Sequence, residues 1–251
     1  MQNPILQDLL TLSREIGRED RGLAILGEGN TSAALDGKTF LVKASGTCMA
    51  TLQEDDVVEC RLSVLLPMLE RESLTDQQVD DTLLASRVDA KAKKPSVEAV
   101  LHAWILSLPG VKFVGHAHAT SVNQILCSPR ARDFSQKRMF PDEIVCCGPD
   151  SVFVPYTDPG LKLAQTLRRE TEAFIQKHQR QPRVILMQNH GIITLGGTWQ
   201  SVLSAMLMAE KAAKIFVGAA SIGGPVFFSD ENIARIAGRP DEAYRQRALK
   251  M

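Results

Sequence analysis

Apolar positions first recur at helical spacing. In residues 3–21, Ile5, Leu6, Leu9, Leu10, Leu12 and Ile16 fall on one side of charged Arg14, Glu15, Arg18 and Glu19, which predicts an N-terminal packing helix. The period then changes. After the glycine-rich turn Gly27-Glu28-Gly29-Asn30 come two β-like runs, residues 31–35 and 39–42, joined by Asp36-Gly37, a pair that accepts the positive φ of a tight hairpin. Ser45-Gly46-Thr47 forms a second polar turn, and residues 62–94 read as helical or irregular with no assignable chemistry. Pro95-Ser96 opens a predicted amphipathic helix, in which Val97, Val100, Leu101, Trp104, Ile105 and Leu108 keep the three-to-four residue rhythm until Pro109-Gly110 stops it. A strand is expected over residues 111–116 and the start of a helix over 121–126. Beyond Pro141 the pattern predicts short strands at 144–146 and 152–155, a helix from about 159 to 178 and a strand at 184–187. A long helix from about 198 to 220 follows, with Met206 and Met208 as core filler, then a short helix capped at Ser229 and a polar tail carrying Tyr244.

These elements mix without the regular βα alternation of a parallel sheet, and a hairpin comes early. The expected architecture is therefore a mostly antiparallel sheet flanked by helices. A dinucleotide-binding fold is disfavoured: Gly27-Glu28-Gly29 is a fragment of the glycine fingerprint, Ser32 stands at its third glycine, and a hairpin follows where a helix is required.

Length and composition narrow the class. The 251 residues, 44% hydrophobic and 23% charged and without a repeat, are expected to form a single domain spanning 1–251. Lysine plus arginine (29) equals aspartate plus glutamate (29), so no summed field favours a polyanion, and nucleic acid is not an expected partner. Five cysteines, an odd number without Cys-x-x-Cys spacing and including the neighbours Cys146 and Cys147, read as reduced thiols. No charged-then-apolar leader is visible and no apolar run reaches roughly 18 residues, so the expectation is a cytoplasmic protein without a membrane partner.

The candidate chemistry centres on three of the five histidines. His116 and His118 stand two apart beside an apolar run, so on a strand both imidazoles point to one face and can reach one ion. His190, in Gln188-Asn189-His190-Gly191, follows the apolar run 184–187 and so lies at another strand end. His178 sits in a polar stretch and reads as a solvated residue. His102, one turn after Glu98, reads as a buried residue able to hydrogen-bond or orient that carboxylate. Lys43, in a strand leading into the Ser45 turn, could take part in a site.

Five segments occur in an ordered series: Gly29-Asn30-Thr31-Ser32, Lys43-Ala44-Ser45-Gly46-Thr47, Ser96-Val97-Glu98 with His102, Gly115-His116-Ala117-His118 and Asn189-His190-Gly191. In this the chain resembles the class II aldolase/adducin family, over roughly residues 9–220, and within it the fuculose-phosphate and rhamnulose-phosphate aldolases. The resemblance implies a three-layer αβα sandwich around a mostly antiparallel central sheet, often assembled as a homotetramer. It implies Zn2+ or another divalent metal ion held by His116, His118 and His190, with coordination positions left open as in a catalytic site. Glu98 falls on the family's catalytic carboxylate. It would remove a proton beside a metal-bound ketone while the ion stabilises the enediolate. Read from the residues alone, Glu98 is also what a helix dipole favours near an N-terminus.

Asn30, Ser45, Gly46 and Ser96 match substrate-binding positions that hold a phosphate or the enediolate; Ser96 also fits a plain N-cap and Ser45-Gly46 a plain turn. The chain departs from the pattern at Val97, where the sugar-phosphate aldolases often have a second serine. The family's mechanism includes a proton-donating tyrosine; of Tyr156 and Tyr244, the C-terminal Tyr244 is the expected donor. The implied activity is that of a lyase in carbohydrate metabolism, a zinc-dependent aldolase cleaving a ketose, a sugar 1-phosphate, to dihydroxyacetone phosphate and a short aldehyde. Sugar-phosphate epimerases, dehydratases and oxo-acid decarboxylases share the metal site, and adducin uses the fold as a non-catalytic interaction module. The complete set of three histidines and an acid favours an enzyme acting on a small sugar or sugar phosphate.

Overall fold

The computed structural model describes residues 3–248. Seven strands form one sheet: β1 (Asn30–Ala34), β2 (Thr39–Lys43), β3 (Val57–Arg61), β4 (Phe113–Ala117), β5 (Val152–Val154), β6 (Val184–Met187) and β7 (Gly191–Gly196), in the order β3-β2-β1-β4-β7-β6-β5. Among the described residues every pairing is antiparallel except β5 with β6. The expected mostly antiparallel sheet is therefore what forms, and helices cover both its faces.

Strand alternation explains the two cores. On one face Phe40, Val42, Val58, Val114, Ile185 and Ile193 pack beneath the helices Ala99–Leu106 and Leu161–His178. On the other, Ala33, Leu41, Phe113, Val184, Leu186 and Ile192 pack against the helices Pro4–Ile16, Thr120–Leu126 and Trp199–Ala220. Successive strand residues point to opposite faces, so one sheet builds both layers. Helix starts follow local chemistry. The Asn3 side chain accepts from the Ile5 N–H at 3.0 Å with Pro4 in the first turn, and Thr198 accepts from Ser201 N at 3.1 Å. Met206 is fully buried and Met208 partly so, as expected of core filler.

Four expectations need correction. The segment 144–146 is not a strand but lies in the helix Pro141–Cys147, where Pro141 fixes the first turn and Asp142 and Glu143 complement the dipole. The helix predicted from Pro95 begins only at Ala99, and it is not amphipathic: all eight of its residues are buried, because it lies between the sheet and Leu161–His178. Two strands went unpredicted. In β3, Glu59 and Arg61 alternate outward with inward Val58 and Cys60, the pattern of a charged edge strand. In β7, a short apolar run lies between glycines at both ends, and no element was expected there. Finally, the tail with Tyr244 is the helix Pro240–Ala248. Among the described residues Cys48, Cys60, Cys127 and Cys147 carry no disulfide, and no helix is long and apolar enough to cross a membrane.

Candidate active site

Sheet register assembles the site. Asn30 lies opposite His116 and Ser32 opposite Val114 across β1 and β4, so Asn30, Ser32 and His116 share the face covered by Ala99–Leu106, the helix that carries His102. Glu98 occupies the N-cap position of that helix. An isolated bridge between Ala44 and Pro95, with Ser45 N donating to Lys94 O at 2.9 Å and Ser96 N to Lys43 O at 3.3 Å, brings the Ser45-Gly46 turn beside Ser96. His190 comes from the β6–β7 loop, where Asn189 has φ 54° and the Asn123 amide holds the His190 carbonyl at 3.0 Å. Two glycines let these backbones meet: a Cβ at Gly29 would lie 2.4 Å from the His116 carbonyl oxygen, and one at Gly191 2.5 Å from that of Ala117.

The three rings form a nearly regular triangle with centroids 5.0, 5.1 and 5.2 Å apart, and one ligand nitrogen from each lies within 4.8 Å of the others. His116 donates its Nδ1–H to the Ile192 carbonyl at 3.0 Å, which leaves Nε2 bare and facing His118 Nε2 at 3.2 Å. Two nitrogens bound tetrahedrally to one ion at roughly 2.0–2.1 Å stand about 3.3 Å apart. The donor set and spacing therefore fit a divalent ion. Burial pushes His116 down to about 4, and burial with the neighbouring His190 lowers His118, so both imidazoles are neutral near pH 7, the form that binds metal. Glu28 Oε1 lies 3.8 Å from His118 Nδ1, placing an acid behind that ring.

Glu98 stands at the rim of this cluster. Its Oε1 is 3.3 Å from His190 Nε2 and its Oε2 3.5 Å from His116 Nε2, while the Asn30 amide donates to Oε2 at 2.6 Å. Burial opposes ionisation of this carboxyl, whereas positive charge in the cradle formed by His116 and His190, together with the Asn30 amide, lowers it. Ser96 Oγ accepts from Asn30 Nδ2 at 3.2 Å and from Glu98 N at 3.3 Å, which leaves its own hydroxyl proton to donate elsewhere.

Other residues fall outside this cluster. Tyr244 is 69% exposed, and Gln246, on the same helix, is fastened to the Val145 carbonyl at 3.0 Å and to Arg183, at the opposite end of β6 from His190. Within one chain it is not brought to the histidines. Tyr156 is at their end of the sheet, two residues past the β5 terminus where Gln188 N donates to Val154 O. His178 is not simply solvated: it pairs with Asp150 at 3.2 Å and stacks on Phe174. Lys43 is buried, its ammonium lowered by desolvation, and its Nζ lies 3.4 Å from the carbonyls of Gly27 and Ala44, tying the glycine loop to the Ser45 turn. His102 does not reach the Glu98 carboxylate; it bonds Asn30 and Ser32. The Asn30-to-Ser32 spacing of two, on one strand face, was the signal available in sequence. The parts played by Glu28 and Asn123 had none.

The class II aldolase and adducin N-terminal domain family matches residues 7–217. A protein of Bacillus subtilis named as the uncharacterized oxidoreductase YuxG is 28% identical over 218 residues, 82% of this chain but 29% of that protein, so the chain spans under a third of that relative's length. The 3-oxo-tetronate 4-phosphate decarboxylase of Haemophilus influenzae is 27% identical over 206 residues, 80% of this chain and 83% of that protein. Among solved structures, an L-fuculose 1-phosphate aldolase superposes with a TM-score of 0.71 over 98% of both chains at 18% identity, which establishes a shared fold. With its three-histidine cradle, acid and ordered motifs, the chain belongs to the class II aldolase and adducin family.

Proposed function

We propose that this protein is a divalent-metal-dependent carbon–carbon lyase, an aldolase that cleaves a ketose 1-phosphate to dihydroxyacetone phosphate and a short aldehyde through an enediolate. One observation carries the reading: a buried Glu98 carboxylate stands 3.3 and 3.5 Å from nitrogens of two histidines of the cradle. A divalent ion held by His116, His118 and His190, zinc or a similar one, supplies Lewis-acid stabilisation of charge on the substrate's carbonyl oxygen. Glu98 takes the proton from the adjoining carbon in the condensing direction, and the Asn30 amide keeps Oε2 engaged so that Oε1 receives it. The exposed Ser45-Gly46 turn, with Gly46 at φ 76°, lies beside Ser96, whose hydroxyl proton is unspent, and these groups suit a phosphate. Val97 is 43% exposed beside them and adds no hydroxyl. For the proton returned to the aldehyde oxygen, Tyr156, two residues past β5, is the candidate within one chain, and Tyr244 is the candidate from a neighbouring copy in a homo-oligomer such as the expected tetramer.

The experiment is NMR-followed exchange of a C1 proton of dihydroxyacetone phosphate in deuterated buffer by the zinc-loaded protein. Exchange is expected in the wild type, and Glu98→Gln, with zinc retained, should slow it roughly 100-fold or more. Undiminished exchange in that variant would remove Glu98 from the chemistry. A second reading is supported by the decarboxylase relative, which this chain covers to 83% of its length. Loss of carbon dioxide from a 3-oxo acid leaves the same enediolate without needing a base to begin. Carbon dioxide release from a 3-oxo-tetronate phosphate, by protein that does not exchange dihydroxyacetone phosphate, would establish that reading instead.

A further inference from the structure

A buried polar network in the sheet lies behind Glu98. Ser32 Oγ is 2.6 Å from His102 Nδ1, His102 Nε2 makes a very short contact with Asn30 Oδ1, and Asn30 Nδ2 is 2.6 Å from Glu98 Oε2. All four residues are buried, Ser32 and His102 completely. Polar groups in such a place are costly unless each donor meets an acceptor, so the direction of every bond can be worked out. The Asn30 amide presents its Nδ2 to Glu98 Oε2 and its Oδ1 to His102. That oxygen must accept from Nε2–H. The other ring nitrogen is therefore bare and accepts the Ser32 hydroxyl proton.

We propose that Ser32 and His102 are positioning residues for Glu98: they fix one imidazole tautomer, which locks the Asn30 amide with its NH2 toward Oε2 and keeps Oε1 turned to the cradle, 3.3 Å from His190 Nε2. The inference rests on Glu98 being the base of the proposed reaction. Turning the Asn30 amide over would set its oxygen against a carboxylate oxygen at 2.6 Å, two acceptors in repulsion, so orientation of this amide decides whether Glu98 is held or expelled. The chain of bonds is a strut and not a proton wire, since an amide N–H does not pass a proton on. Burial pushes His102 down to about 3, so the strut keeps one protonation state through the neutral range.

Ring-nitrogen 15N shifts of the zinc-loaded protein test this without substrate. The His102 signal, identified by its loss in His102→Gln, should report Nε2 protonated and Nδ1 bare; the opposite tautomer overturns the proposal. With dihydroxyacetone phosphate as probe, His102→Leu should lose roughly 100-fold in C1 exchange rate, the scale of disturbing a hydrogen bond to a charged group, with zinc content unchanged and KM within about threefold. His102→Gln, which can still donate to Asn30, should recover at least about tenfold of that loss. Wild-type rates in His102→Leu overturn the proposal. If His102→Leu does not fold, Ser32→Ala decides: it should admit the second tautomer and slow exchange about tenfold, and the absence of both effects overturns it. If the wild type exchanges nothing, the aldolase reading fails while the ring-nitrogen result still judges the strut.

Discussion

His190 is held between two demanding neighbours. Asn189 before it takes a left-handed φ of 54°, and Gly191 after it admits no side chain, since an added Cβ would meet the Ala117 oxygen at 2.5 Å and His118 and His116 ring carbons at 3.0 and 3.1 Å. Gly191→Ala should therefore spread the cradle. Zinc affinity measured by competition with a chelating dye should fall about tenfold or more, with folding weakened by about 1–3 kcal/mol; unchanged affinity would mean that the three rings do not hold the ion. The three-histidine cluster itself was legible in sequence, because a His-x-His pair and a third histidine after a strand are local patterns. The partner of His102 was not. Spacing of four suggests a neighbour on a helix surface, but Glu98 sits at the cap, outside the helical turn, and the ring points instead to Asn30, 72 residues away in sequence.

At the scale of elements, the helix Ala99–Leu106 connects the site to the fold. It carries His102, begins where Glu98 ends the preceding loop, and is buried on every side between the sheet and Leu161–His178. Leu101 is fully buried there, so Leu101→Ala should cost about 2–5 kcal/mol in urea unfolding. A loss under 1 kcal/mol would show that this helix is looser than its packing indicates. Periodicity found the hairpin β1–β2, β6 and the long helices, whose apolar rhythm is strong. It mistook residues 144–146 for a strand because three apolar residues in a row fit either element, and only Pro141 with two following acids marked the helix. It also made Ala99–Leu106 amphipathic. A stripe at helical spacing shows which side must be buried and says nothing of a second layer arriving from residues 161–178.

Over the whole molecule, helices on both faces seal the sheet, and two imidazoles are shut inside without exposure, His102 and His116. Burial pushes them down to about 3 and about 4, whereas an unfolded chain protonates histidine near 6.5. Below about pH 6.5 the unfolded chain therefore binds protons that the fold refuses. Stability from this source is complete above pH 6.5 and is lost as pH falls toward 4 and 3, with a slope of about 1.4 kcal/mol per pH unit for each ring. The two rings together should remove roughly 3 kcal/mol between pH 6.5 and 5, a large part of the 5–15 kcal/mol typical of a folded domain. Carboxylates such as Asp56 and Asp133, lowered by hydrogen bonds from Lys93 and Lys137, lose their contribution only below about pH 4 and do not share this window. Urea unfolding of chelator-treated protein from pH 7.5 to 5 should show this early acid loss, and His102→Gln should remove about half of its slope. Adding zinc should raise stability at pH 7.5 and steepen the decline, because only neutral His116, His118 and His190 bind the ion, so protons compete with it for the folded state. A free energy that stays level from pH 7 to 5 would mean that His102 and His116 take up protons inside the fold, and the one-tautomer strut behind Glu98 would not survive that result.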